Sequence, residues 1–347
     1  MNPISTALCS FGMSGQLFHA PFIETNPKFQ LSGVLERHKN LAQDYYPHIH
    51  IFRSLEELLQ NPTVELVILN TPNLTHYVMA KEILLSGKHL VVEKPFTTTV
   101  AEADELIALT KEKQLVLSVF HNRRWDSDFL TVQSILEDGK LGPIVDVELR
   151  YDRFEPNLSY KIHKETPGHG VGSLYDLGSH IIDQALLLFG MPNSVFGHLT
   201  AFREHSEVVD YFDVKLYYDS HAVTLKSSYF VCDPLPAYTL YGKKGCFIKR
   251  RADIQEAALK EGKMPSGPDW GKEPPSDYGI LTFMENRNLK SEVVPSKGGN
   301  YNFYYDRIYN AIRNNEPVPV TAEEGRAVIK IIETIIKSNI QRKVVDL

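Results

Sequence analysis

A chain of 347 residues exceeds what one ordinary hydrophobic core accommodates and suits two domains. With 43% hydrophobic and 23% charged residues it has the composition of a soluble globular protein, and a net charge of −6 offers no basic field to nucleic acid or anionic lipid. No apolar run approaches the roughly 18 residues that span a bilayer, and the opening Met1-Asn2-Pro3-Ile4-Ser5 lacks a charged-then-apolar leader pattern, so the expected compartment is the cytoplasm.

Three scattered cysteines, Cys9, Cys232 and Cys246, read as buried thiols rather than a disulfide framework, and their spacing fits no zinc site. From Ser5 onward, short apolar runs alternate with amphipathic stretches. Thr6 to Cys9 predicts a strand, followed by the turn-rich Ser10-Phe11-Gly12-Met13-Ser14-Gly15. Leu31 to Leu35 is a second strand, closed by Glu36, and Ile49 to Phe52 a short extended piece. Ser54 with Glu57 has capping-box spacing, the hydroxyl and the carboxylate each satisfying an orphan backbone donor.

Leu66 to Leu69 is continuous and apolar, as a strand covered on both faces should be. It runs into Asn70-Thr71-Pro72, then a helical stretch through Met79, Ile83 and Leu84 that stops at Gly87. His89 to Val92 is the next strand, Thr99 with Glu102 a second capping box, and Leu115 to Val119 another strand. This alternation predicts βαβ units, hence a parallel sheet with right-handed crossovers.

Beyond Phe120 the texture changes. A helix is expected from Asp126 to Glu137, closed by Gly139 and Gly142. Alternating runs then follow (Val145, Val147, Leu149; Val214, Leu216, Tyr218; Val223, Leu225, Ser227) with hairpin-length connections at 218–221 and 242–245, which predicts an antiparallel sheet with one covered face. Residues 260–279 read as an irregular excursion. Thr321 with Glu324 is a third capping box, opening a helix whose Val328, Ile331, Ile332, Ile335, Ile336 and Ile340 form one apolar stripe expected to be core. The expected organisation is a dinucleotide-binding α/β domain over 1–121 and an α+β domain with a large, mostly antiparallel open sheet over 122–347.

Four groups of residues have chemistry to offer. Gly12 and Gly15 fill the second and third positions of a dinucleotide-binding glycine fingerprint, with Ser10 in the first, and Glu36 stands at the ribose position. A carboxylate there accepts from ribose hydroxyls and repels a 2′-phosphate, which leans the cofactor towards NAD over NADP, while the neighbouring Arg37 offers a phosphate partner or a stacking surface. Val91-Val92-Glu93-Lys94-Pro95 ends a buried strand at its carboxyl edge, where open α/β sheets bind ligands, so Lys94 is a candidate for chemistry, set against a plain surface pair with Glu93. Asp176 and His180, four apart in a helical stretch, present a carboxylate to an imidazole, which suits proton exchange with a hydroxyl. Structural satisfaction of the histidine is the competing reading, and a metal site would need further ligands such as His163 or His169, so no metal is expected. His121-Asn122-Arg123-Arg124-Trp125 follows the last strand of the first domain, where the arginines and amide bind substrate oxygens or serve as a hinge of ion pairs.

The degenerate glycine turn, Asn70-Thr71-Pro72-Asn73 with His76, Glu93-Lys94-Pro95, and the GxGxxxDxGxHxxD pattern over 170–183 together resemble the glucose-fructose oxidoreductase / inositol dehydrogenase (Gfo/Idh/MocA) family, across essentially the whole chain and in order. Gly12-Met13-Ser14-Gly15, the 121–126 segment, Leu174 to His180 and Pro319 to Gly325 are most similar to its scyllo-inositol dehydrogenase branch. The resemblance implies an NAD(P)-dependent dehydrogenase acting on a sugar or cyclic polyol, with Lys94, Asp176 and His180 catalytic. It implies dinucleotide contacts from Ser10, Gly12, Met13, Gly15, Glu36, Arg37, Asn70, Thr71, Pro72, Asn73, His76, Glu93, Lys94 and Asn122. It places Arg123, Arg124 and Trp125, with Asp176 and His180, at the substrate. It also implies a homodimer or homotetramer formed through the second-domain sheet, whose Tyr211, Tyr217 and Tyr229 suit such an interface. Ser10 departs from the family's pattern by replacing the first glycine, and Glu36 stands where an NADP-specific member would have a small or basic residue. The alternatives within the family are NAD-dependent glycosidase-type chemistry and a non-catalytic dinucleotide-binding regulator.

Overall fold

Six strands, β1 (Ile4–Leu8), β2 (Phe29–Leu35), β3 (His50–Phe52), β4 (Leu66–Leu69), β5 (His89–Glu93) and β6 (Leu117–Phe120), pair in parallel in the order β3-β2-β1-β4-β5-β6. A computed structural model describes residues 2–347, apart from the side chain of His163. β4 and β6 are buried at every position, and β4 pairs with β5 through Val67↔Leu90, Ile68↔Val91 and Leu69↔Val92. Two-sided cover explains why these strands read as unbroken apolar runs. Strand order reverses between β1 and β4, and such a reversal opens the crevice in which doubly wound sheets bind ligands.

This sheet belongs to a unit that runs from the start of the chain to Trp125 and also takes in Ile254–Trp270 and Asn300–Arg326. The later segments complete its core: Tyr301, Tyr304, Tyr305 and Ile308 are fully buried, and Tyr305 stacks on Phe22 at 5.8 Å. The second unit comprises Asp126–Asp253, Gly271–Gly299 and Ala327–Leu347.

The second unit holds nine strands: β7 (Ile144–Arg150), β8 (Ser194–Thr200), β9 (Tyr211–Tyr217), β10 (Ala222–Ser228), β11 (Tyr238–Gly242), β12 (Gly245–Lys249), β13 (Gly279–Glu285), β14 (Asn288–Val294) and β15 (Val345–Asp346). Their order is β14-β13-β12-β11-β7-β10-β9-β8-β15, with every pairing antiparallel except β7 with β10. Strict alternation in β9 and β10 buries Phe212, Val214 and Leu216 on one face, with Val223 and Leu225 opposite them.

Several local expectations change. Thr99 with Glu102 and Thr321 with Glu324 form complete capping boxes, but Glu57 turns its carboxylate to the Arg53 N–H at 2.7 Å, one residue before the capping Ser54. The apolar stripe of the helix Ala322–Gln341 is core through Ile335, whereas Ile340 is exposed. Tyr229 is buried, so it belongs to no open face. Cys232 is exposed, while burial pushes the Cys9 thiol up to about 12.

Candidate functional site

In the first unit the glycine turn and the loop after β4 meet at the switch point. The Ser10 N–H donates to Asn70 Oδ1 at 2.9 Å, the Ser10 hydroxyl donates to the Asn70 carbonyl at 2.8 Å, and Asn70 Nδ2 donates to the Ser10 carbonyl at 2.9 Å. A serine in the first fingerprint position therefore links the two loops flanking the crevice, a bond glycine would not make. Gly15 is packed against the pair: a Cβ there would lie 2.5 Å from the Ser10 carbonyl oxygen and 2.9 Å from Asn70 Nδ2. A Cβ on Gly12 would meet only Ser10 Oγ, at 4.0 Å, which leaves open space before the turn. This open backbone cradle at the head of the Gly15–His19 turn fits a pyrophosphate. That turn is π-helical and continues into the helix Ala20–Thr25.

Glu36 is buried at the end of β2, and its Oε2 accepts the Ala42 N–H at 2.9 Å. Arg37, His38 and Lys39 beside it are exposed. His76 is fully buried, with Nδ1 2.9 Å from the Pro95 carbonyl and Nε2 3.0 Å from the Thr71 carbonyl; burial lowers its pKa, and a neutral ring donates through only one nitrogen. His76 thus ties the loop after β4 to the cis Lys94–Pro95 peptide, which makes its contact with that backbone structural. Pro72 precedes the short turn Asn73–Thr75 in an extended conformation, φ −61° and ψ 143°.

Lys94 leaves β5 at its carboxyl edge. The Lys94 N–H donates to Glu93 Oε2 at 3.1 Å, and Glu93 Oε1 faces His19 Nε2 at 3.0 Å. Burial pushes the Glu93 pKa up, but hydrogen bonding and charge from His19, with the charges of Lys94 and His76, bring it below the ordinary value. Glu93 is therefore a half-buried carboxylate held by His19, not the exposed partner of a surface pair.

The segment after β6 has been given structural partners. Arg123 pairs with Glu256 at 2.6 Å and Arg124 with Glu324 at 2.8 Å, while the buried Trp125 meets Tyr304 edge-on at 5.6 Å and Asn122 is buried. Burial raises the Glu256 carboxyl, but Arg123 and Lys260 overcome it and hold the pKa at about 2. Both pairs lie within the first unit.

In the second unit the GxGxxxDxGxHxxD stretch forms a π-helical turn, Leu174–Gly178, running into the helix Ser179–Phe189. Asp176 lies in the wide turn and His180 in the first turn of the helix, so the simple α-helical i, i+4 relation expected for them is altered by the π geometry. His180 is buried, its ring 6.0 Å from that of Tyr151, and the Arg251 guanidinium lies 4.0 Å from the centre of the Tyr151 ring. Asp176 has Lys164 Nζ at 3.9 Å; burial opposes the Arg153 charge, yet Asp176 helps hold its pKa above the ordinary value. Among the described residues no group of three or more His, Cys, Asp or Glu could hold a metal ion, and the side chain of His163 lies outside them.

His19, Tyr305, Glu256, Arg153 and Lys164 are groups that sequence reading missed, and Glu324, read there as a capping residue, also pairs with Arg124. His19 carried a weak signal, as an isolated histidine four residues past the last fingerprint glycine, but its partner Glu93 is 74 positions away.

Residues 4–121 match the Gfo/Idh/MocA model described as an oxidoreductase family NAD-binding Rossmann fold, and residues 133–347 match that family's C-terminal alpha/beta domain. The chain is 38% identical to scyllo-inositol 2-dehydrogenase (NADP(+)) IolW of Bacillus subtilis over 347 residues, covering 100% of this chain and 97% of that protein. It is 36% identical over 335 residues to YdgJ of Escherichia coli, an uncharacterized oxidoreductase, with 96% of each chain covered. Among solved structures, YvaA of Bacillus subtilis superposes with a TM-score of 0.97 at 38% identity, covering 100% of this chain and 99% of that one. An oxidoreductase from Bacillus cereus gives 0.91 at 34%, covering 99% and 98%.

Proposed function

Because the chain belongs to the Gfo/Idh/MocA oxidoreductase family, we propose that this enzyme interconverts a secondary alcohol and a ketone on a sugar or an inositol-like cyclic polyol, in the cytoplasm. The observation that carries the reading is the arrangement at the carboxyl edge of the six-stranded sheet: an open glycine cradle at the switch point, and Lys94 emerging two strands away at the end of β5. The full-length similarity to a scyllo-inositol dehydrogenase supports the polyol class.

In this reading the turn over Gly12, Met13 and Gly15 receives the dinucleotide phosphates, with Asn70, Thr71, Pro72, Asn73 and Asn122 contributing further contacts. Bound NAD(P)+ supplies the hydride acceptor. His180 accepts the substrate hydroxyl proton, Asp176 stabilises the resulting imidazolium, and Lys94 donates a hydrogen bond to the oxygen as negative charge develops there. Alcohol oxidation needs both functions, a proton acceptor and an oxyanion donor.

The cofactor preference rests on Glu36. A free carboxylate there would favour NAD, but one oxygen is already committed to the Ala42 N–H, and Arg37, His38 and Lys39 form an exposed cationic run beside it. The cationic run can pair with a 2′-phosphate and offset the repulsion from the Glu36 carboxylate, and the named Bacillus subtilis relative is by name an NADP enzyme. We therefore assign NADP as the preferred dinucleotide. A second copy of the chain, docked through the open face of the nine-stranded sheet, is the expected partner.

The test is a titration with NADP and NAD followed by a polyol panel. NADP should bind at least about 10-fold more tightly, with Arg37→Ala narrowing the gap. Lys94→Ala and His180→Ala should each lower turnover roughly 10²- to 10⁴-fold while dinucleotide binding persists. Tighter NAD binding would reverse the cofactor assignment alone. Wild-type turnover in both variants would remove the catalytic assignment, and aglycone release from a glycoside without net dinucleotide reduction would point to the glycosidase-type alternative.

A further inference from the structure

Behind Lys94 the first unit buries a hydrogen-bonded chain that the reaction just described does not use. His19 closes the π-helical turn after the glycine cradle and is fully buried. Its Nδ1 is 2.8 Å from the Tyr305 hydroxyl, and its Nε2 is 3.0 Å from Glu93 Oε1. The Tyr305 hydroxyl is also 2.9 Å from the Phe18 carbonyl, and the other Glu93 oxygen accepts the Lys94 N–H at 3.1 Å. The imidazole packs against the Phe120 ring, 4.5 Å between centres, so it has little freedom to turn.

Counting protons fixes one end of this chain. Tyr305 has a single hydroxyl proton. If it goes to the Phe18 carbonyl, Nδ1 must donate to the Tyr305 oxygen; if it goes to Nδ1, the ring accepts there. Nε2 faces a carboxylate, which only accepts, so it carries a proton and donates it to Glu93; the first arrangement then places protons on both ring nitrogens, the second on Nε2 alone. Both Glu93 oxygens are thereby committed, one to a buried imidazole and one to the amide of the residue that bears the reacting amine. A carboxylate held at two points cannot swing, and it fixes both the backbone at the end of β5 and a negative charge next to the lysine. The titratable groups acting on Glu93 are His19, Lys94 and His76, and the hydroxyls of Tyr304 and Tyr305 feel its charge.

We propose that His19 is a positioning residue for Lys94, acting through Glu93, with Tyr305 setting the orientation of the imidazole. The inference rests on the reading that Lys94 serves the reaction. It couples the turn that holds the dinucleotide phosphates to the residue that addresses the substrate oxygen, by way of the His19 and Glu93 side chains.

The experiment uses the full chain with NADP and the best substrate of the polyol panel. His19→Gln should lower kcat roughly 10- to 100-fold, with the NADP dissociation constant within about three-fold of wild type. Glu93→Gln removes a negative charge beside Lys94, so the limb of the kcat–pH profile that disappears in Lys94→Ala should move to lower pH by about one unit. A merely structural role would not move that limb. If His19→Gln does not fold, Tyr305→Phe and Glu93→Gln carry the test, Tyr305→Phe being expected to lower kcat in the same direction. Wild-type kcat in the His19 or Tyr305 variant together with an unmoved limb in Glu93→Gln overturns the proposal. Lys94→Ala separates the two levels: full activity there removes the reading beneath, whereas loss there with no effect of the other variants removes only the role of His19.

Discussion

Two glycines in one turn do different physical work. A side chain on Gly15 would drive into the Ser10 carbonyl and the Asn70 amide, so Gly15→Ala should destabilise the protein by about 2 kcal/mol, an overpacking cost. Gly12 has space around it, so Gly12→Ala should leave the melting temperature within about 2 °C of wild type but weaken dinucleotide binding by about 10-fold or more, because the added methyl occupies the cradle. Thermal melts set beside fluorescence titrations check both; equal loss of stability in the two variants would refute the distinction. At this scale the sequence is informative where chemistry is local. Lys94 at a strand end is visible from spacing alone. The commitments of Glu36 to Ala42 and of Glu93 to His19 are not, because each depends on which way a carboxylate turns inside the fold.

Elements were legible where burial imposes a pattern. Leu66–Leu69 and His89–Glu93 are strands because two-sided cover demands unbroken apolar runs, and Thr99 and Thr321 cap helices because their glutamates fall at the right offset. The π-helical turns at 15–19 and 174–178 left no such trace, since one extra residue per turn is set by packing rather than by composition. The pairing of Arg123 with Glu256 joins the end of the first βα series to the helix Gln255–Lys260, far away in sequence. Glu256 has its carboxyl lowered to about 2, so its contribution is complete above the unfolded value near 4.5 and is lost as pH falls from there through 2. Glu256→Gln should therefore cost about 2 kcal/mol at neutral pH, and the gap in urea midpoint between variant and wild type should close as the pH approaches 2. A gap independent of pH would show that packing, not charge, is what the residue supplies.

On the scale of the molecule, the nine-stranded sheet carries an apolar ladder on its exposed side. Ile248 faces Ile280 across β12 and β13, Ile280 faces Val293 across β13 and β14, and Met284 faces Leu289, all of them solvent-accessible. In the proposed self-association this patch is where a second copy would dock. Ile280→Glu should lower the mass measured by light scattering if a second copy docks there, while an unchanged mass would place the interface elsewhere. No helix among the described residues is long and apolar enough to cross a membrane. The two-unit organisation was legible from the change of texture after Phe120, but the return of 254–270 and 300–326 to the first unit was not, because those segments carry no marker of which core they fill. That return bears on synthesis. Tyr301, Tyr304 and Tyr305 close the core that begins with β1, so a ribosome must translate past them before the glycine cradle has its finished support. The amino-terminal unit thus stays unfinished long after its own six strands have been made, and a nascent chain halted at Trp270 would expose Phe22 and Phe120 to whatever chaperones attend it.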